Sequence, residues 1–449
     1  MEKLIKMPES AAMIIGRLSM NGYKAYAVGG CIRDSIMGKI PYDWDICTSA
    51  LPEEVLEVLG EKNIVENGLK HGTVTVHIDG ENYEITTFRT DGEYLDNRHP
   101  ENVTFVRDLK EDLSRRDFTM NSLAYNDSEG LIDIFGGEND INDGIIRCVG
   151  DPDKRFGEDA LRILRALRFS SQLGFSIEEN TSISIHKNAE LLKNISAERI
   201  MTEFTKILMG KNVEEVLLNY SDVIAVFIPE IKEMFGFEQH NPHHVYDVWK
   251  HTVKAVACVK NERVLRLTAF FHDIGKPKTF TIDNTGKGHF HGHPEVSDKM
   301  ANEILKRLKT DNRTISEVRL LIKLHDLRPK PDAKNVRRLM YETGSENFSL
   351  LMEIKRADAL AQNPETHEYK LGYIRKLEEI YKQELEKKSA FNLKTLAVNG
   401  KDIINIGVKD GWKIGMILEF LLDRVIDGDM ENDRQLLLDK AAEIQKRFA

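Results

Sequence analysis

The spacing of apolar residues changes near residue 150 of the chain. Before that point, short apolar runs are broken by Gly, Asn and Asp, which is typical of β-strands separated by turns. Five such runs predict strands at residues 26–28, 44–47, 74–78, 83–88 and 103–106. From Phe156 to the end, the apolar residues recur mostly at helical spacing. The pattern predicts an α/β head followed by a long helical region, with the change at Asp151-Pro152.

Length and composition fit a globular protein of several domains. The chain has 449 residues, of which 41% are hydrophobic and 30% are charged, so we expect about three domains and a sizeable core. No apolar run approaches the ~18 residues of a transmembrane helix, and the N-terminal segment reads as an amphipathic helix rather than a signal peptide. The four cysteines include no CxxC pair, which is typical of reduced thiols. We therefore expect a cytoplasmic protein without a membrane partner.

The net charge of −10 argues by itself against a nucleic-acid partner, because such proteins usually carry a basic surface. A net charge does not describe local patches, however. Arginines are concentrated at five positions, namely Arg115, Arg116, Arg162, Arg165 and Arg168. This distribution predicts a confined basic cleft on an acidic protein, with RNA binding that weakens strongly as salt rises.

A pair of glycines, Gly29 and Gly30, follows the first predicted strand and precedes a predicted helix. Glycines at such a turn let the backbone approach a phosphate, and the N-terminus of a helix favours an anion. Arg33 follows three positions later, where its guanidinium can add a charge-assisted hydrogen bond to a triphosphate. The alternative is an ordinary turn between a strand and a helix, so this motif alone is weak.

Two aspartates, Asp43 and Asp45, lie two positions apart, so on a strand their side chains project from the same face. Adjacent carboxylates raise each other's pKa unless a cation lies between them. Mg²⁺ accepts carboxylate and phosphate oxygens as ligands, and two such ions can activate a hydroxyl and stabilise a leaving pyrophosphate. Asp43 and Asp45 are therefore candidate catalytic residues and Mg²⁺ ligands. A solvated edge strand is the alternative.

Further polar motifs lie downstream. Glu84, within the predicted strand at 83–88, is the candidate third catalytic carboxylate, although Asp79 and Glu81 are close to it. A dense polar turn precedes an apolar run and is unsuited to a core; it contains Arg115, Arg116, Asp117 and Asn121. A later charged segment contains Glu158, Asp159, Arg162, Arg165 and Arg168.

In this order, the motifs resemble the class II tRNA nucleotidyltransferases, that is, the CCA-adding enzymes and their poly(A) polymerase relatives. The resemblance runs from Ala27 to about Leu208. It implies an α+β fold, with a nucleotidyltransferase-type head built on a mixed β-sheet and an all-α neck, body and tail. It also implies template-independent addition of CCA to tRNA 3′ ends from CTP and ATP. The nucleotide-binding residues that it implies are Gly29, Gly30, Arg33, Arg116, Asp117, Asn121, Asp159, Arg162, Arg165 and Arg168.

Asp159 and Arg162 are three positions apart, so on one helix they share a face. A carboxylate accepts a hydrogen bond from an amino group, and a guanidinium donates to a ring nitrogen or a carbonyl. Together they can imitate a Watson–Crick partner for C or A. In isolation the pair would be a surface salt bridge worth ~0.3 kcal/mol. Within this series of motifs, we expect the pair to select the incoming base.

The segment at residues 86–100 resembles the flexible loop of the same family, which helps switch specificity from C to A. It has full length here, which favours complete CCA addition over partial addition. The family often has a second arginine where His99 stands in this chain.

A second set of motifs lies in the helical region. The dipeptide His272-Asp273, flanked by an apolar run, resembles the HD phosphohydrolase superfamily. The metal ligands that this resemblance implies are His251, His272, Asp273 and Asp358. His293 and His325 could complete a second metal position or hold phosphate. Such a donor set suits a divalent transition metal, with a phosphomonoester or a cyclic phosphodiester as substrate. The alternative is a helical scaffold without activity.

We expect four segments: a catalytic head at 1–146, a helical neck for nucleotide selection and RNA binding at 147–235, an HD-type metal domain at 236–364, and a tail at 365–449. In the tail, basic and acidic residues alternate on helices. The family resemblance implies that this tail grips the tRNA elbow through shape and phosphate contacts. A solvated helical face explains the same pattern equally well, and the sequence does not specify an oligomeric state.

Four other functions would each be expected to show different features in the sequence. A poly(A) polymerase of the same superfamily would use ATP alone and tends to carry a long basic tail, which this chain lacks. An HD phosphohydrolase with a nucleotide-binding head would not need the transferase carboxylates. An alarmone synthetase–hydrolase would carry its HD part first, and a non-catalytic tRNA-binding module would carry the Asp43–Asp45 pair as a liability.

Overall fold

The computed structural model describes residues 5–60, 64–65, 72–91, 103–387 and 389–448. The chain divides into two compact units, Met1–Pro229 and Glu230–Ala449. Within the described ranges, no helix is both long and apolar enough to cross a membrane.

A seven-stranded sheet organises the first unit. The strands of this unit are β1 (Ala25–Val28), β2 (Ile46–Thr48), β3 (Ile64–Val65), β4 (Thr73–Ile78), β5 (Glu81–Thr87), β6 (Arg89–Asp91), β7 (Val103–Phe105), β8 (Leu123–Asn126), β9 (Gly130–Asp133), β10 (Ile145–Ile146) and β11 (Ser176–Ile177). The sheet has the spatial order β3-β4-β5-β2-β1-β8-β9. Strands β2 and β5 pair in parallel and the other neighbours are antiparallel. The sheet is therefore mixed, as the family resemblance implies.

Burial along the strands follows their place in the sheet. All four residues of β1 are buried, because β1 lies between β2 and β8. Tyr26 and Val28 belong to a core cluster with Cys47 and Phe88. In β5, by contrast, buried and exposed side chains alternate around Glu84, which is exposed. One face of β5 thus joins the core, and the other presents Glu84 to solvent.

The helices of the first unit follow the turns that the sequence marks. They are α1 (Glu9–Met20), α2 (Gly30–Ile36), α3 (Pro52–Leu59), α4 (Leu109–Ser114), α5 (Gly137–Asp143), α6 (Pro152–Glu158), α7 (Leu161–Leu173), α8 (Glu179–Asn188), α9 (Ala197–Leu208), α10 (Val213–Asn219) and α11 (Ser221–Phe227). Asp108 and Asp151 cap α4 and α6, since each carboxylate accepts a backbone N–H of the first turn. Gly174 ends α7 in the left-handed conformation.

The second unit is almost entirely helical. Its helices are α12 (Val248–Cys258), α13 (Arg263–Phe271), α14 (Lys276–Thr279), α15 (His293–Arg307), α16 (Asn312–Leu324), α17 (Ala333–Thr343), α18 (Ser345–Leu360), α19 (His367–Glu386), α20 (Gly400–Asn405), α21 (Gly411–Asp427) and α22 (Arg434–Phe448). One short antiparallel pair, β12 (Thr281–Ile282) and β13 (Gly288–His289), precedes α15. Helices α12, α13, α16 and α18 pack against one another, and a separate apolar cluster joins α20, α21 and α22.

The predicted fold class is confirmed, while the bounds of the five predicted strands differ from the observed ones, and the difference at 44–47 bears on the site. The run at 44–47 predicts that Asp45 lies within a strand, but β2 begins at Ile46, so both aspartates lie in the segment that leads into it. The side chains nevertheless alternate there, because Trp44 and Ile46 are buried while Asp43 and Asp45 are exposed. The finer division at residues 146, 235 and 364 stays a prediction.

Candidate active site

The register of β2 and β5 brings two of the three predicted carboxylates to the same level. Ile46 lies opposite Ile85 in this parallel pair, so Asp45 and Glu84, each one residue earlier, are neighbours along the sheet. The backbone carbonyl of Asp45 also accepts a hydrogen bond from Val28 N at 2.9 Å. This bond ties Asp45 to the end of β1, next to Gly29.

One carboxyl group at this edge has a raised pKa. Desolvation by the surrounding protein atoms is the largest cause, the negative charges of Asp43 and Glu84 add to it, and together they raise the pKa of Asp45 to about 6 against the opposing effect of Arg116. Among the described residues, the three carboxylates do not converge into a group whose oxygens all lie within 4.8 Å of one another. An acidic donor set whose members repel one another fits a divalent cation that takes oxygen ligands.

Gly29 turns the chain from β1 into α2. Its φ of 86° lies in the region that favours glycine, and a Cβ there would lie 3.3 Å from Nη1 of Arg116. Helix α2 begins at Gly30 and has seven residues. The structure therefore places Gly29, Gly30 and Arg116 together, as the motif order predicts.

Arg115 and Arg116 share one buried partner, Asp112, which the sequence analysis missed. Arg115 donates to Asp112 Oδ1 at 2.8 Å, and Arg116 donates to Oδ2 at 3.2 Å. The backbone N–H of Arg89, where β6 begins, also donates to Oδ1 at 3.3 Å. Burial by itself would raise the pKa of Asp112, but the charges of Arg116 and Arg115 lower it. The sequence signal for this pairing is the spacing, because Asp112 precedes Arg115 by three residues and Arg116 by four.

A second network joins Arg33 to Arg165 through Asn121 and Asp117. Arg33 donates to Asn121 Oδ1 at 2.8 Å, and Asn121 donates to Asp117 Oδ1 at 3.0 Å. Arg165 donates to Asp117 Oδ2 at 2.7 Å. Burial would raise the pKa of Asp117, but Arg165 and Asn121 lower it to about 2. Asp117 thus acts as a fixed anion that orients groups from α2 and α7.

Three of the predicted arginines surround the ring of Phe169 on α7. The guanidinium carbons of Arg33, Arg165 and Arg168 lie 5.1, 5.5 and 4.3 Å from its centroid, within cation–π range. Arg168 also donates to Glu203 of α9 at 3.1 Å. The basic cluster predicted from the sequence exists, but Asp112, Asp117, Glu158 and Glu203 offset part of its charge.

Asp159 and Arg162 do not lie on one helix, contrary to the sequence prediction. Helix α6 ends at Glu158, Asp159 has an extended conformation, and α7 begins at Leu161. Asp159 accepts a hydrogen bond from Arg199 at 3.1 Å. Arg162 donates to Glu158 Oε2 at 2.7 Å and to the backbone carbonyl of Arg115 at 2.8 Å. The break separates the two side chains from direct pairing and gives each its own partner.

The predicted flexible loop is described only in part. Strands β6 and β7 pair antiparallel, with Thr90 opposite Thr104. The rest of the predicted loop, at 92–100 and including His99, lies outside the described residues.

The four predicted HD residues converge in the second unit. His251 lies on α12, His272 and Asp273 follow α13, and Asp358 lies on α18. His251 Nε2 lies 3.1 Å from Asp273 Oδ2 and 3.1 Å from Asp358 Oδ1. His272 Nε2 lies 3.2 Å from the same oxygen of Asp273. One ligand atom from each residue lies within 4.8 Å of the others.

The hydrogen bonds of the two imidazoles orient them toward this common point. Nδ1 of His251 lies 3.1 Å from the carbonyl of Ala361, and Nδ1 of His272 lies 2.7 Å from the carbonyl of Ala269. Each Nδ1 must therefore carry a proton to donate, which leaves Nε2 as the inward-facing atom. Burial would lower the pKa of His251, but the nearby Asp273 and Asp358 carboxylates raise it to about 9. The centre thus attracts positive charge, as a metal site must.

Models of known protein families match three separate segments of the chain. Residues 25–147 match the family model of the poly(A) polymerase head domain, residues 174–235 match that of the RNA- and SrmB-binding site of polymerase A, and residues 292–441 match that of tRNA nucleotidyltransferase domain 2. The match over the head therefore places the chain among the nucleotidyltransferases.

Similarity over the whole length narrows this class. The chain is 32% identical to a CCA-adding enzyme of Ligilactobacillus salivarius, over 97% of this chain and 96% of the relative. It is 35% identical to that of Geobacillus kaustophilus, over 95% of both chains. The Bacillus stearothermophilus CCA-adding enzyme in complex with CTP is 30% identical, with a TM-score of 0.71 over 99% of this chain and all of that one. The chain belongs to the family of CCA-adding enzymes, which confirms the resemblance of its motifs.

Asp112→Asn should destabilise the first unit, because it leaves two half-buried guanidinium groups without their buried counter-charge. We expect a loss of about 3 kcal/mol in the free energy of unfolding, measured by urea denaturation at pH 7. Since folding lowers the pKa of Asp112, its contribution is present above about pH 4 and is lost as the pH falls further. The difference between variant and parent should therefore narrow under acid conditions.

Asp108→Asn is the matched control. Asp108 is an exposed cap of the same helix, and asparagine caps equally well, so this variant should retain the parental stability. Equal stability of Asp112→Asn and Asp108→Asn would show that the Asp112 pairs contribute nothing.

Proposed function

We propose that the head of this chain adds C, C and A in turn to tRNA 3′ ends, using CTP and ATP and releasing pyrophosphate, at the edge formed by Asp43, Asp45 and Glu84. The observation that carries this proposal is similarity to CCA-adding enzymes along almost the full length of the chain. A cytoplasmic location agrees with tRNA as the substrate. The fold resembles that of a Thermotoga maritima CCA-adding enzyme complexed with tRNA (TM-score 0.61, 21% identity), and this resemblance is compatible with tRNA as the substrate.

The family implies a divalent metal, and the carboxylate edge fits Mg²⁺. Asp43, Asp45 and Glu84 would hold it, because oxygen ligands suit this ion. A cation would also offset the effects that raise the pKa of Asp45, namely desolvation and, after it, repulsion from Asp43 and Glu84. Bound Mg²⁺ would help deprotonate the tRNA 3′-OH and offset the charge of the departing pyrophosphate. The protein's share is to hold Asp45 and Glu84 at one level of the sheet, with Asp43 two residues before Asp45, so that the ligands are near one another before the metal binds.

The triphosphate would bind beside this edge, along Gly29, Gly30, Arg33 and Arg116. The glycines permit close approach of the backbone, and the guanidinium groups supply charge-assisted hydrogen bonds. Because Asp112 and Asn121 already orient the two arginines, the donors are fixed before the nucleotide arrives. Asp117 and Asn121 would orient the sugar end, with Arg165 and Arg168 behind them.

Base selection would fall to Asp159 and Arg162. In the structure their polar groups bond to Arg199, Glu158 and the carbonyl of Arg115. These partners hold both side chains at the junction of α6 and α7, and a base edge would have to replace some of the bonds. A nucleotide without a matching edge would leave buried polar groups unpaired, which is the strongest physical basis for rejection.

A second activity is favoured by the HD cluster. We propose that His251, His272, Asp273 and Asp358 hold a divalent transition metal that serves hydrolysis of a phosphomonoester or a cyclic phosphodiester. The inward-facing Nε2 atoms, next to two carboxylates in a buried site, form a donor set suited to such an ion. A cavity of about 460 Å³ opens on this cluster and is lined by Lys276 and Arg328, which suits an anionic ester.

Asp43→Asn should abolish transfer, because it removes a metal ligand at the reacting groups. With tRNA lacking its 3′ end, Mg²⁺, CTP and ATP, we expect incorporation to fall by at least about 1000-fold, while hydrolysis at the HD cluster persists. Glu129→Gln, remote from this edge, should be as active as the parent. Long ATP-only tails made by the parent would instead identify a poly(A) polymerase.

Arg162→Ala should reduce the selectivity for the incoming base more than it reduces the rate of transfer. We expect the preference for CTP over UTP to fall by about 100-fold, since a lost hydrogen-bonding partner relaxes discrimination. Competition assays with labelled nucleotides measure this ratio. Arg155→Ala is the matched control, because Arg155 pairs with the same Glu158 at 2.9 Å. Unchanged selectivity in Arg162→Ala would refute the assignment.

His272→Ala should remove metal-dependent phosphoester hydrolysis and leave CCA addition intact. The assay uses p-nitrophenyl phosphate and 2′,3′-cyclic AMP with Mn²⁺, Co²⁺ or Ni²⁺. His186→Ala is the control, because the His186 imidazole lies in the first unit and pairs with Asp222 at 2.8 Å. Hydrolysis that survives in His272→Ala would place the activity elsewhere.

A further inference from the structure

The segment between α2 and the aspartate pair presents two large apolar side chains to solvent. Ile40 is 96% exposed and Tyr42 is 102% exposed, more than any other large apolar side chain of the described residues. The side chain of Lys39, next to them, is exposed as well. Because Ile40 and Tyr42 bury almost no surface against the protein, both are available to a partner.

Hydrogen bonds and burial hold this segment at its two ends. The backbone N–H of Gly38 donates to the carbonyl of Ser35 at 3.0 Å. The backbone N–H of Lys39 donates to the carbonyl of Asp34, within α2, at 2.8 Å. At the other end, Trp44 is buried in the head. The exposed side chains therefore lie on a short turn between two fixed points.

The turn leads directly into the carboxylate edge. Tyr42 precedes Asp43, the first of the candidate Mg²⁺ ligands, and adjacent Cα atoms are about 3.8 Å apart. Asp43 is itself exposed. In the proposed reaction, the 3′-OH of the RNA must lie at this edge. The nucleotide that carries this hydroxyl therefore comes within reach of the Tyr42 ring.

The direction of the reaction also favours this turn for the RNA. The phosphate-binding residues Gly29 and Gly30 lie at the N-terminus of α2, whereas the turn follows its C-terminus. Helix α2 has seven residues, which is a length of ~10 Å. In phosphoryl transfer the attacking and leaving oxygens are roughly in line on opposite sides of the phosphorus. The RNA therefore approaches from the side away from the glycines, which is the side of this turn.

We propose that Tyr42 and Ile40 form a stacking platform for the 3′-terminal nucleotides of the RNA acceptor, with Lys39 beside their phosphates. The inference rests on the function proposed for the head. An aromatic ring stacks on any base, because every base has a π-face. Such tolerance suits an acceptor whose last base changes as C, C and A are added. The platform would orient the 3′-OH and leave selection of the nucleotide to other residues.

Steady-state kinetics test the platform with tRNA that lacks its 3′ CCA. Tyr42→Ala should raise the KM for tRNA by about 10-fold, since a stacking contact with one base is lost. The KM for CTP should stay at the parental value, because Tyr42 is remote from the triphosphate residues. Tyr42→Trp should retain the parental KM for tRNA, because the ring that stacks is preserved.

A matched control removes an exposed apolar side chain elsewhere in the same unit. Ile183, on α8, is 59% exposed, and Ile183→Ala should leave both KM values unchanged. Since Tyr42 is fully exposed, Tyr42→Ala should also retain the parental free energy of unfolding in urea. A change in the KM for tRNA at unchanged stability therefore reports binding and not folding.

Crosslinking tests the contact without any transfer. A tRNA that ends in 5-iodocytidine is bound to the full chain and irradiated, and the linked peptide is identified by mass spectrometry. We expect the link at Tyr42. The same label placed in the anticodon should give no link at this residue.

The outcomes separate the platform from the proposed function. An unchanged KM for tRNA in Tyr42→Ala, while C is still added, overturns the platform and leaves CCA addition standing. A rise in the KM for CTP alone, an equal loss in Tyr42→Trp, or a crosslink at another segment also overturns the platform. A parent that adds no C to tRNA overturns the proposed function, and the crosslink then decides the platform by itself.

Discussion

A carboxylate that is removed from water must be met by positive charge, and this requirement governs both units of the molecule. In the head, Asp112 is offset by Arg115 and Arg116, and Asp117 by Arg165. In the second unit, Asp273 is enclosed by imidazoles and by Lys276. Where fixed cations do not suffice, as at Asp45 with its raised pKa, the repulsion that remains favours a bound metal ion. An ion pair with a cationic side chain and a bound metal ion are thus two ways to offset the negative charge of a carboxylate within the protein.

This constraint explains how a chain with a net charge of −10 can belong to an RNA-modifying family. Much of the acidic excess is used internally, by carboxylates that orient arginines or surround candidate metal positions. The predicted nucleotide-binding arginines and Arg115 are held by partners, because each pairs with a carboxylate and three of them, Arg33, Arg165 and Arg168, also contact the Phe169 ring. A preorganised guanidinium loses less conformational entropy when it binds phosphate. Local arrangement, not the overall charge, determines what such a protein binds.

The two proposed activities use different metal chemistry in separate units. Oxygen donors at the head suit Mg²⁺, while imidazoles in the second unit suit transition metals. The sites therefore need not compete for the same ion, and variants of one can leave the other intact. In the second unit, the Asp273 carboxylate lies beside four imidazoles, those of His251, His272, His293 and His325.

The sequence by itself determined the fold class, the order of the motifs and the family, because strand and helix periodicities and short motifs are local properties. Residue type and spacing also singled out Asp43 and Asp45, and the resemblance to the HD superfamily implied His251, His272, Asp273 and Asp358. Only the tertiary structure decided which groups meet. The parallel register of β2 and β5 aligns Asp45 with Glu84, and the break after α6 separates Asp159 from Arg162. The pairing of Arg199 with Asp159, and the approach of His293 and His325 to the Oδ1 atom of Asp273, depend on packing between segments far apart in the chain. Asp112, by contrast, is three and four residues from Arg115 and Arg116, so its pairing follows from local spacing. Such contacts are fixed by burial and charge in three dimensions, which local pattern does not encode.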